Sequence, residues 1–323
     1  MIAAGLTDQV FRAAVQAAVR APSLHNTQPW RFRRRDGAIE VRADPSRRLP
    51  VADPTGWAVR IACGAAAFNA RLALAVAGCD VTARLRPDPR DLDLMVRLVS
   101  GASRPATPVE RTLYDAIPQR HSNRAPFFPE PVPAAARSDM IEAARVEGAW
   151  LELLIGPGPL AAVAEIAQAA TTVLDRNPEY RAEMAAWTRA DETQRDGVPG
   201  AAGGPSPAPQ DLLPVRPFSD RPRAPGRDFE SHPLVAVLGT PGDSHRDQLV
   251  AGMGLQRVLL TITSAGLAAS MLSQPIEVES ARERLRIALG RYGTPHMVLR
   301  VGYGQPGFPT PRRDVADVMD EAE

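Results

Sequence analysis

The sequence predicts an α+β protein built from two similar lobes in tandem. Amphipathic helical patterns alternate with short apolar strand patterns along most of the 323 residues. Two 15-residue helical stretches, at residues 64–78 and 252–266, each begin and end with glycine. Each is followed by a strand of similar form, LMVRLV in the first half and HMVLRV in the second. Two buried helices can look alike by chance, but the paired strands favour an internal duplication.

Cap and turn residues place the elements of the first lobe, which we assign to residues 1–104. Thr7 or Asp8 can cap the first helix, which ends before Pro22 because proline disfavours helical geometry in the preceding residue. Asp36-Gly37 suits the type I′ turn of a hairpin, and Asp53-Pro54 suits the start of a long helix. The predicted elements are helices at residues 8–21 and 53–78 and strands at residues 30–35, 38–42, 81–85 and 94–99.

The second lobe, residues 105–323, follows a Pro-Ala-Thr-Pro linker. Its predicted elements are helices at residues 110–117, 133–147, 160–174, 247–266 and 278–289 and strands at residues 150–155, 233–238 and 297–301. Between about residues 177 and 231, polar helical residues give way to a stretch at 197–209 that is rich in glycine and proline. Such a stretch cannot form a packed element, so it is either a disordered linker or a long loop over a site.

Composition excludes several classes of function. A hydrophobic content of 44% with 23% charged residues is that of an ordinary soluble protein. The net charge of +1 gives no argument for binding nucleic acid or an anionic membrane. No run reaches the roughly 18 apolar residues of a spanning helix, and the first 20 residues lack a signal-peptide core. We therefore expect a cytoplasmic protein with no nucleic-acid or membrane partner, and the histidines and two cysteines show no metal-site spacing.

The segment RHSNR at residues 120–124 has the chemistry of an anion site. Arg120, Ser122 and Arg124 alternate, so all three could reach one anion. All 38 basic residues are arginine, so any phosphate must be bound by arginine rather than lysine. An exposed charged turn would show the same local pattern.

A second segment, APSLHNTQPWRF at residues 21–32, has the chemistry of a ring-binding edge. The amides of Asn26 and Gln28 can offer donors and acceptors side by side, as the edge of a flavin ring requires. The alternative is a helix-to-strand connection in which both amides satisfy local backbone groups. His25 either faces the flavin or is an ordinary loop histidine.

Four segments together resemble the FMN-dependent nitroreductases, and most closely their two-lobed branch known from the mycobacterial Acg proteins. They are RHSNR, APSLHNTQPWRF, GLAASMLSQPIE at residues 266–277 and GYGQPGFPTPRRDVADVM at residues 302–319. The resemblance implies a nitroreductase-like α/β/α sandwich in which two degenerate lobes mimic a homodimer. The protein would then be a monomer with pseudo-dimeric lobes, although further oligomerisation stays open.

The resemblance also implies which residues hold FMN. The phosphate ligands would be Arg120, Ser122, Arg124 and Arg313, with Arg312 as a further candidate. The residues at the ring would be Ser23, Leu24, Asn26, Gln28, Met271, Leu272, Ser273 and Gln274. Many family members carry Pro-x-Glu-Gly in the last segment, so Ser273 and Gln274 are departures. A backbone donor to the flavin survives such changes, whereas the side that admits substrate is altered.

The order of the segments predicts the stoichiometry. The first lobe carries only the Asn/Gln segment and the second only the arginine segment, so we expect one FMN per chain at the lobe interface. No catalytic acid or base is required, because the flavin itself accepts and donates the hydride. The expected function is an NAD(P)H-dependent oxidoreductase acting on small nitro or quinone-type acceptors. The alternative is an FMN-storing or FMN-sequestering protein, with a lid at about residues 189–221 that restricts turnover.

Overall fold

Two four-stranded antiparallel sheets, one two-stranded parallel sheet and ten α-helices are present in the described part of the chain. The computed structural model describes residues 6–189, 193–206, 208, 211–216, 218, 222–223, 228–230 and 233–320. The helices are α1 Asp8–Ala18, α2 Trp57–Val76, α3 Pro108–Ala116, α4 Ala134–Val146, α5 Pro157–Arg176, α6 Pro178–Ala186, α7 His245–Ser264, α8 Gln274–Glu277, α9 Glu279–Ala288 and α10 Val315–Val318. The strands are β1 Trp30–Arg35, β2 Ala38–Ala43, β3 Cys79–Leu85, β4 Leu94–Ser103, β5 Trp150–Leu154, β6 Thr188–Arg189, β7 Val198–Pro199, β8 Leu234–Thr240, β9 Ala268–Leu272 and β10 Thr294–Gly302.

The two four-stranded sheets have the same topology. Their strand orders are β1-β2-β4-β3 and β5-β8-β10-β9, so in each sheet the fourth strand lies between the second and the third. Every pair of neighbours is antiparallel. A 20-residue helix connects the second and third strands of each sheet, α2 in the first and α7 in the second. The two similar apolar strands predicted from the sequence are β4 and β10, which occupy the same place in their sheets.

Helices α2 and α7 pack against each other at the centre of the molecule. Gly64 of α2 and Gly252 of α7 face each other, and a Cβ added to Gly64 would lie 3.1 Å from the Cα of Gly252. That Cβ would overlap the carbonyl oxygen of Leu249, and one added to Gly252 would overlap the carbonyl oxygen of Ile61. Leu249 precedes Gly252 by three residues in α7, and Ile61 precedes Gly64 by three residues in α2. The contact is therefore reciprocal, as in a two-fold interface.

Local signals place the first elements correctly. The Thr7 hydroxyl accepts a hydrogen bond from the Val10 N–H at 3.3 Å and caps α1. Asp36 and Gly37 connect β1 to β2 with φ values of +51° and +68°, the geometry of the predicted type I′ turn. The predicted bounds of the other long helices and strands agree with the structure to within a few residues, except at the start of α2.

Helix α2 begins at Trp57 rather than at Asp53, so the predicted cap is wrong. Residues 53–56 form a turn in which the Gly56 N–H donates to the Asp53 carbonyl oxygen at 3.1 Å, and Gly56 takes a left-handed φ of +76°. The Asp53 carboxylate still receives the Val59 N–H at 3.0 Å, from beyond this turn. Burial raises the pKa of Asp53 to about 6.

The segment rich in glycine and proline packs in part, contrary to the expectation from its composition. Val198 and Ala202 are buried against Phe218, and β7 pairs with β6 in parallel. Long-range contacts supply the apolar partners that this segment lacks locally. Strand β9 and the short helices α8 and α10 are also present where no element was predicted from the sequence, and α6 lies in the region described there only as polar helical residues.

One helix among the described residues is long and apolar enough to cross a membrane, namely α2. Arg60, Asn69 and Arg71 interrupt its apolar run, but its length and mean hydropathy are still those of a helix that could cross a membrane. Of its most apolar 18-residue window, 89% is buried inside the protein. This burial is that of a central core helix.

Candidate functional site

A cavity of about 1000 Å³, including its open mouth, is lined by segments from both halves of the chain. The first half contributes the end of the APSLH segment and the start of α2, and the second contributes the end of β9 and the start of α8. Among the residues predicted for the site, the cavity is lined by Ser23, Leu24, Arg124, Met271, Leu272, Ser273 and Gln274. The structure thus brings two of the predicted segments to one cavity, together with one arginine of a third.

The arginine motif runs beside β9, the edge strand of the second sheet. Ser122 forms a parallel bridge with Ala269, and the Asn123 N–H donates to the Ala269 carbonyl oxygen at 2.9 Å. Arg124 reaches the cavity, whereas Arg120 and Ser122 are not among its lining residues. The structure therefore brings only one of the three side chains predicted from this motif to the cavity.

Arg120 and Arg312 are close enough to repel each other and lie beside the end of α1. Arg120 is 5% exposed, and its Nη2 donates to the Arg20 carbonyl oxygen at 3.3 Å. Arg312 donates to the side-chain oxygen of Asn26 at 3.1 Å and to that of Thr310 at 2.6 Å. Burial lowers the pKa of Arg120 to about 10, and burial with the charges of Arg120 and Arg20 lowers that of Arg312 to about 9.

No carboxylate of the described residues forms an ion pair with Arg120, Arg124 or Arg312. The Nε atoms of Arg120 and Arg312 are buried and lack a hydrogen-bond partner within the same part of the chain. Burial also lowers the pKa of Arg124 to about 10, and its Nη1 donates to the Ala202 carbonyl oxygen at 3.0 Å. Desolvated cations without a counter-ion are costly, which indicates a site for an anionic ligand.

Asn26, Gln28 and Arg313 hold the C-terminal tail and the Gly/Pro-rich segment in place. Asn26 Nδ2 donates to the carbonyl oxygens of Gly197 at 2.8 Å and Pro311 at 3.0 Å. The Gln28 side chain accepts the Arg313 N–H at 2.8 Å and donates to the Arg195 carbonyl oxygen at 2.8 Å. Arg313 also lies 3.4 Å from the Asp44 carboxylate.

The amides of Asn26 and Gln28 therefore bind backbone groups that are distant in sequence, and neither residue lines the cavity. Ser23 lines it but also accepts the Gln28 N–H at 2.9 Å. Arg312, with no carboxylate partner in the described structure, is better placed for an anion than Arg313, which has one.

Residues 211–216 and 218, which we call the covering residues, lie against the cavity, and most of them line it. Arg216 Nη2 lies 2.5 Å from Glu277 Oε1, and the Tyr180 hydroxyl donates to Glu277 Oε2 at 2.8 Å. The Glu277 side chain is completely buried. Phe218 stacks under the Arg124 guanidinium, with 4.8 Å between the Arg124 Cζ and the ring centre.

A stack of cations and rings fixes the chain beyond the covering residues. The Arg300 Cζ lies 4.0 Å from the centre of the Phe127 ring and 4.8 Å from that of Phe229, and Arg223 packs on Phe229 at 4.9 Å. Arg300 also donates to both oxygens of Glu230, at 2.7 and 3.0 Å. Cation–π contacts of this kind stabilise desolvated arginines.

The sequence analysis named none of Arg216, Phe218, Glu277 and Arg300 as site residues, although the lid predicted at about residues 189–221 includes the first two. One signal was available for two of them: Pro214-Val215-Arg216-Pro217-Phe218 places an arginine between apolar residues inside an otherwise polar segment. Glu277 ends the segment GLAASMLSQPIE, but no local signal indicates its pairing, because its partner Arg216 is 61 positions earlier in the chain.

The fold and the site define an α+β protein with a cavity that Arg124 lines and with two further buried arginines, Arg120 and Arg312, that lack a carboxylate partner among the described residues. The family model described as the nitroreductase family matches residues 117–303. "Putative NAD(P)H nitroreductase Rv3131" of Mycobacterium tuberculosis is 33% identical over 98% of this chain and 92% of that protein. "Putative NAD(P)H nitroreductase acg" of the same organism is 30% identical over 97% and 96%.

The chain belongs to the nitroreductase family. Its resemblance to the Acg branch, predicted from four segments, is confirmed, as are the α+β class and the nitroreductase-like fold. Among solved structures, it is similar to the FMN and NADPH-dependent nitroreductase NfnB of a Sphigopyxis strain, with 18% identity, a TM-score of 0.43 and coverage of 65% of this chain and 99% of that one. A nitroreductase with bound FMN from Desulfitobacterium hafniense gives 15% identity, a TM-score of 0.43 and coverage of 66% and 98%.

Proposed function

We propose that the chain binds one FMN in the cavity and acts as an NAD(P)H-dependent oxidoreductase on small nitro or quinone-type acceptors. The observation that carries this proposal is that Arg124, at the cavity, and the neighbouring pair Arg120 and Arg312 are buried and have no carboxylate partner in the described structure. A phosphate dianion supplies the missing counter-charge, and its oxygens match the donors of a guanidinium.

The residues present fit FMN. Arg120 and Arg312, which lie beside each other outside the cavity lining, would hold the phosphate together with Arg124 at the cavity, and Ser23, Leu24 and residues 271–274 would contact the ring. Bound FMN would supply the hydride acceptor and donor of the reaction. The protein would then bind and orient the reactants and exclude water from them. Apolar residues of α2 at the cavity, such as Trp57 and Ile61, would exclude the water.

The proposed donor and acceptors follow the relatives. Two M. tuberculosis proteins that match nearly the whole chain carry names that describe putative NAD(P)H nitroreductases. NADH and NADPH both remain candidates as the donor.

The purified protein tests this proposal directly. We expect yellow protein with about one FMN per chain by visible absorbance, and rapid bleaching when NADH or NADPH is added without oxygen. Oxidation by a nitroaromatic or a quinone should then restore the colour. Colourless protein that takes up no added FMN would contradict both the binding and the turnover.

A second candidate function is FMN storage, and the covering residues favour it. The buried pair of Arg216 and Glu277 ties them to the cavity wall, and Phe218 packs on Arg124. In that case the protein stays yellow after NADH or NADPH is added. The lid proposed at residues 189–221 includes the covering residues, but residues 190–192, 207, 209–210, 217 and 219–221 lie outside the described residues.

Glu277→Gln tests whether this pair holds the cover closed. The variant leaves the Arg216 charge buried without a carboxylate, a change that costs about 3–5 kcal/mol. We expect the variant to release FMN at least about tenfold faster than the wild type, as measured by visible absorbance after dilution. NAD(P)H should also bleach the flavin faster in the variant. Glu283→Gln, which removes an exposed ion pair with Arg286 within α9, is the matched control. Equal release rates for the two variants would show that the pair does not control access.

We further propose that residues 1–104 and 105–323 are two lobes that arose by duplication and mimic a dimer within one chain. The shared strand order of the two sheets and the reciprocal contact of Gly64 with Gly252 support this division. The mass of the native protein, measured by light scattering, should equal that of one chain carrying a single FMN. A stable dimer of two chains that binds one FMN in total, or a single chain that binds two FMN, would contradict this arrangement.

A further inference from the structure

His25 is a buried side chain at the cavity whose role the proposed FMN site leaves open. It is 4% exposed and lines the cavity between the first lobe and the covering residues. Its Nε2 lies 2.5 Å from Nη1 of Arg216, which is itself paired with Glu277 at 2.5 Å. The ring of Phe218 meets the imidazole edge-on, with 5.9 Å between ring centres and a 77° angle between planes.

The contact with Arg216 decides which ring nitrogen of His25 carries the proton. A guanidinium only donates hydrogen bonds, so Nε2 must accept, and the proton of the neutral imidazole is then on Nδ1. The ring is neutral at physiological pH because burial, then the charges of Arg216 and Arg124, lower the pKa of His25 well below its usual value. The Glu277 carboxylate holds Arg216 in place, so the tautomer is fixed by a chain of two hydrogen bonds.

The Nδ1 atom of His25 is buried and has no hydrogen-bond partner among the described residues. An N–H left without an acceptor in such a place is costly, about 1–3 kcal/mol in typical cases. The backbone adds to this cost, since His25 is held at a φ of +50°, and Asn26 and Gln28 are also at positive φ. Strain of this kind at non-glycine residues is characteristic of functional sites.

We propose that the Nδ1–H of His25 donates a hydrogen bond to an electron-rich oxygen or nitrogen of the molecule bound in the cavity, and that Arg216 and Glu277 are positioning residues that fix its tautomer. This inference rests on the proposed function, because the molecule is either the flavin or the acceptor bound beside it. In both cases the acceptor atom is a carbonyl, nitro or ring atom that gains negative charge on reduction. A fixed N–H directed at such an atom stabilises that charge.

Nitrogen-15 NMR of the histidine side chains tests the tautomer in protein from which FMN has been removed. We expect a neutral His25 with the proton on Nδ1, and in Glu277→Gln a mixture of tautomers. Addition of FMN alone, and then of 4-nitrobenzoate to the FMN-loaded oxidised protein, identifies the source of the acceptor atom. The Nδ1–H resonance should move in one of these two steps. A proton on Nε2 in the FMN-free protein, or no movement in either step, would overturn the proposal.

Two substitutions of His25 test whether its Nδ1–H acts as a hydrogen-bond donor or the side chain has only a structural role. In His25→Asn the side-chain NH₂ occupies the place of Nδ1, and asparagine tolerates positive φ. In His25→Gln the amide reaches the place of Nε2 and keeps a partner for Arg216, but the donor at Nδ1 is lost. NMR identifies the binding partner as FMN or 4-nitrobenzoate. We expect the affinity for this molecule to weaken about fivefold to tenfold in His25→Gln, which is the factor expected of one hydrogen bond. In His25→Asn the affinity should weaken much less.

Equal weakening in both variants, or full affinity in His25→Gln, would contradict the role of Nδ1. The test is independent of the FMN proposal, because the tautomer is measured without FMN. Wild-type protein that shows the Nδ1–H tautomer but takes up no FMN would refute the proposed function and leave only the tautomer part of this inference standing.

Discussion

Replacing Arg120 and Arg124 together with alanine will abolish FMN retention while the fold stays intact. In the proposed site each arginine would supply charge-assisted hydrogen bonds to the phosphate, and such bonds contribute about 1.5–3 kcal/mol each. Loss of two arginines should therefore weaken FMN binding by at least about a hundredfold. The purified double variant should be colourless, and FMN titration followed by flavin fluorescence gives the affinity.

The fold of this double variant is expected to survive because neither arginine has a carboxylate partner among the described residues. Far-ultraviolet circular dichroism should match that of the wild type. Added FMN should raise the unfolding temperature of the wild type but not that of the variant. Arg145→Ala is the matched control, since Arg145 is exposed and paired only with Glu142 in α4. A yellow double variant would show that the phosphate is bound elsewhere.

The second large effect is expected at the crossing of α2 and α7. In Gly252→Ala the new methyl group overlaps the Ile61 carbonyl oxygen, which belongs to a helix backbone and cannot rotate away. The two helices must separate, and overpacking of this kind costs about 1–3 kcal/mol, occasionally more. Urea unfolding of the FMN-free protein should show a lower midpoint with a similar slope.

Gly158→Ala is the control for this substitution. Gly158 lies in the first turn of α5, and apart from its chain neighbours and the adjacent backbone of α5 no atom of the described residues is within 4 Å of the Cβ that alanine would add. Alanine is the better helix former, so this variant should be as stable as the wild type or more stable by up to about 1 kcal/mol. If Gly252→Ala and Gly158→Ala have the same stability, the close approach of α2 and α7 is not required for folding.

The fold could be predicted from the sequence wherever local chemistry determines the element. Thr7 caps α1, and the pair Asp36-Gly37 has the backbone geometry that its turn demands. The start of α2 could not be predicted in this way, because the Asp53 N–H binds the Leu49 carbonyl oxygen and a turn forms in place of the first helical residues. The packing of Val198 and Ala202 depends on Phe218, which local composition does not reveal.

The sequence predicted which segments contribute to the candidate site, but not which residues form hydrogen bonds or ion pairs with each other there. The motifs indicated Ser23, Leu24, Arg124 and residues 271–274, all of which line the cavity. The partners of the Asn26 and Gln28 side chains include backbone groups of residues about 170 and 285 positions away, which no local pattern identifies. The pairing of Arg216 with Glu277 is likewise a product of the fold, since neither residue has the other within its own segment.

The reciprocal packing of α2 and α7 has a consequence for how the cavity responds to dilution. Trp57 and Ile61 of α2 and Leu255 of α7 line the cavity, so both helices form its wall. In a dimer of separate chains, such walls part when the protein concentration falls below the dissociation constant. Here the two helices are joined by one backbone, so their contact is intramolecular and its stability does not depend on concentration. A single copy of this chain therefore keeps a complete cavity wall.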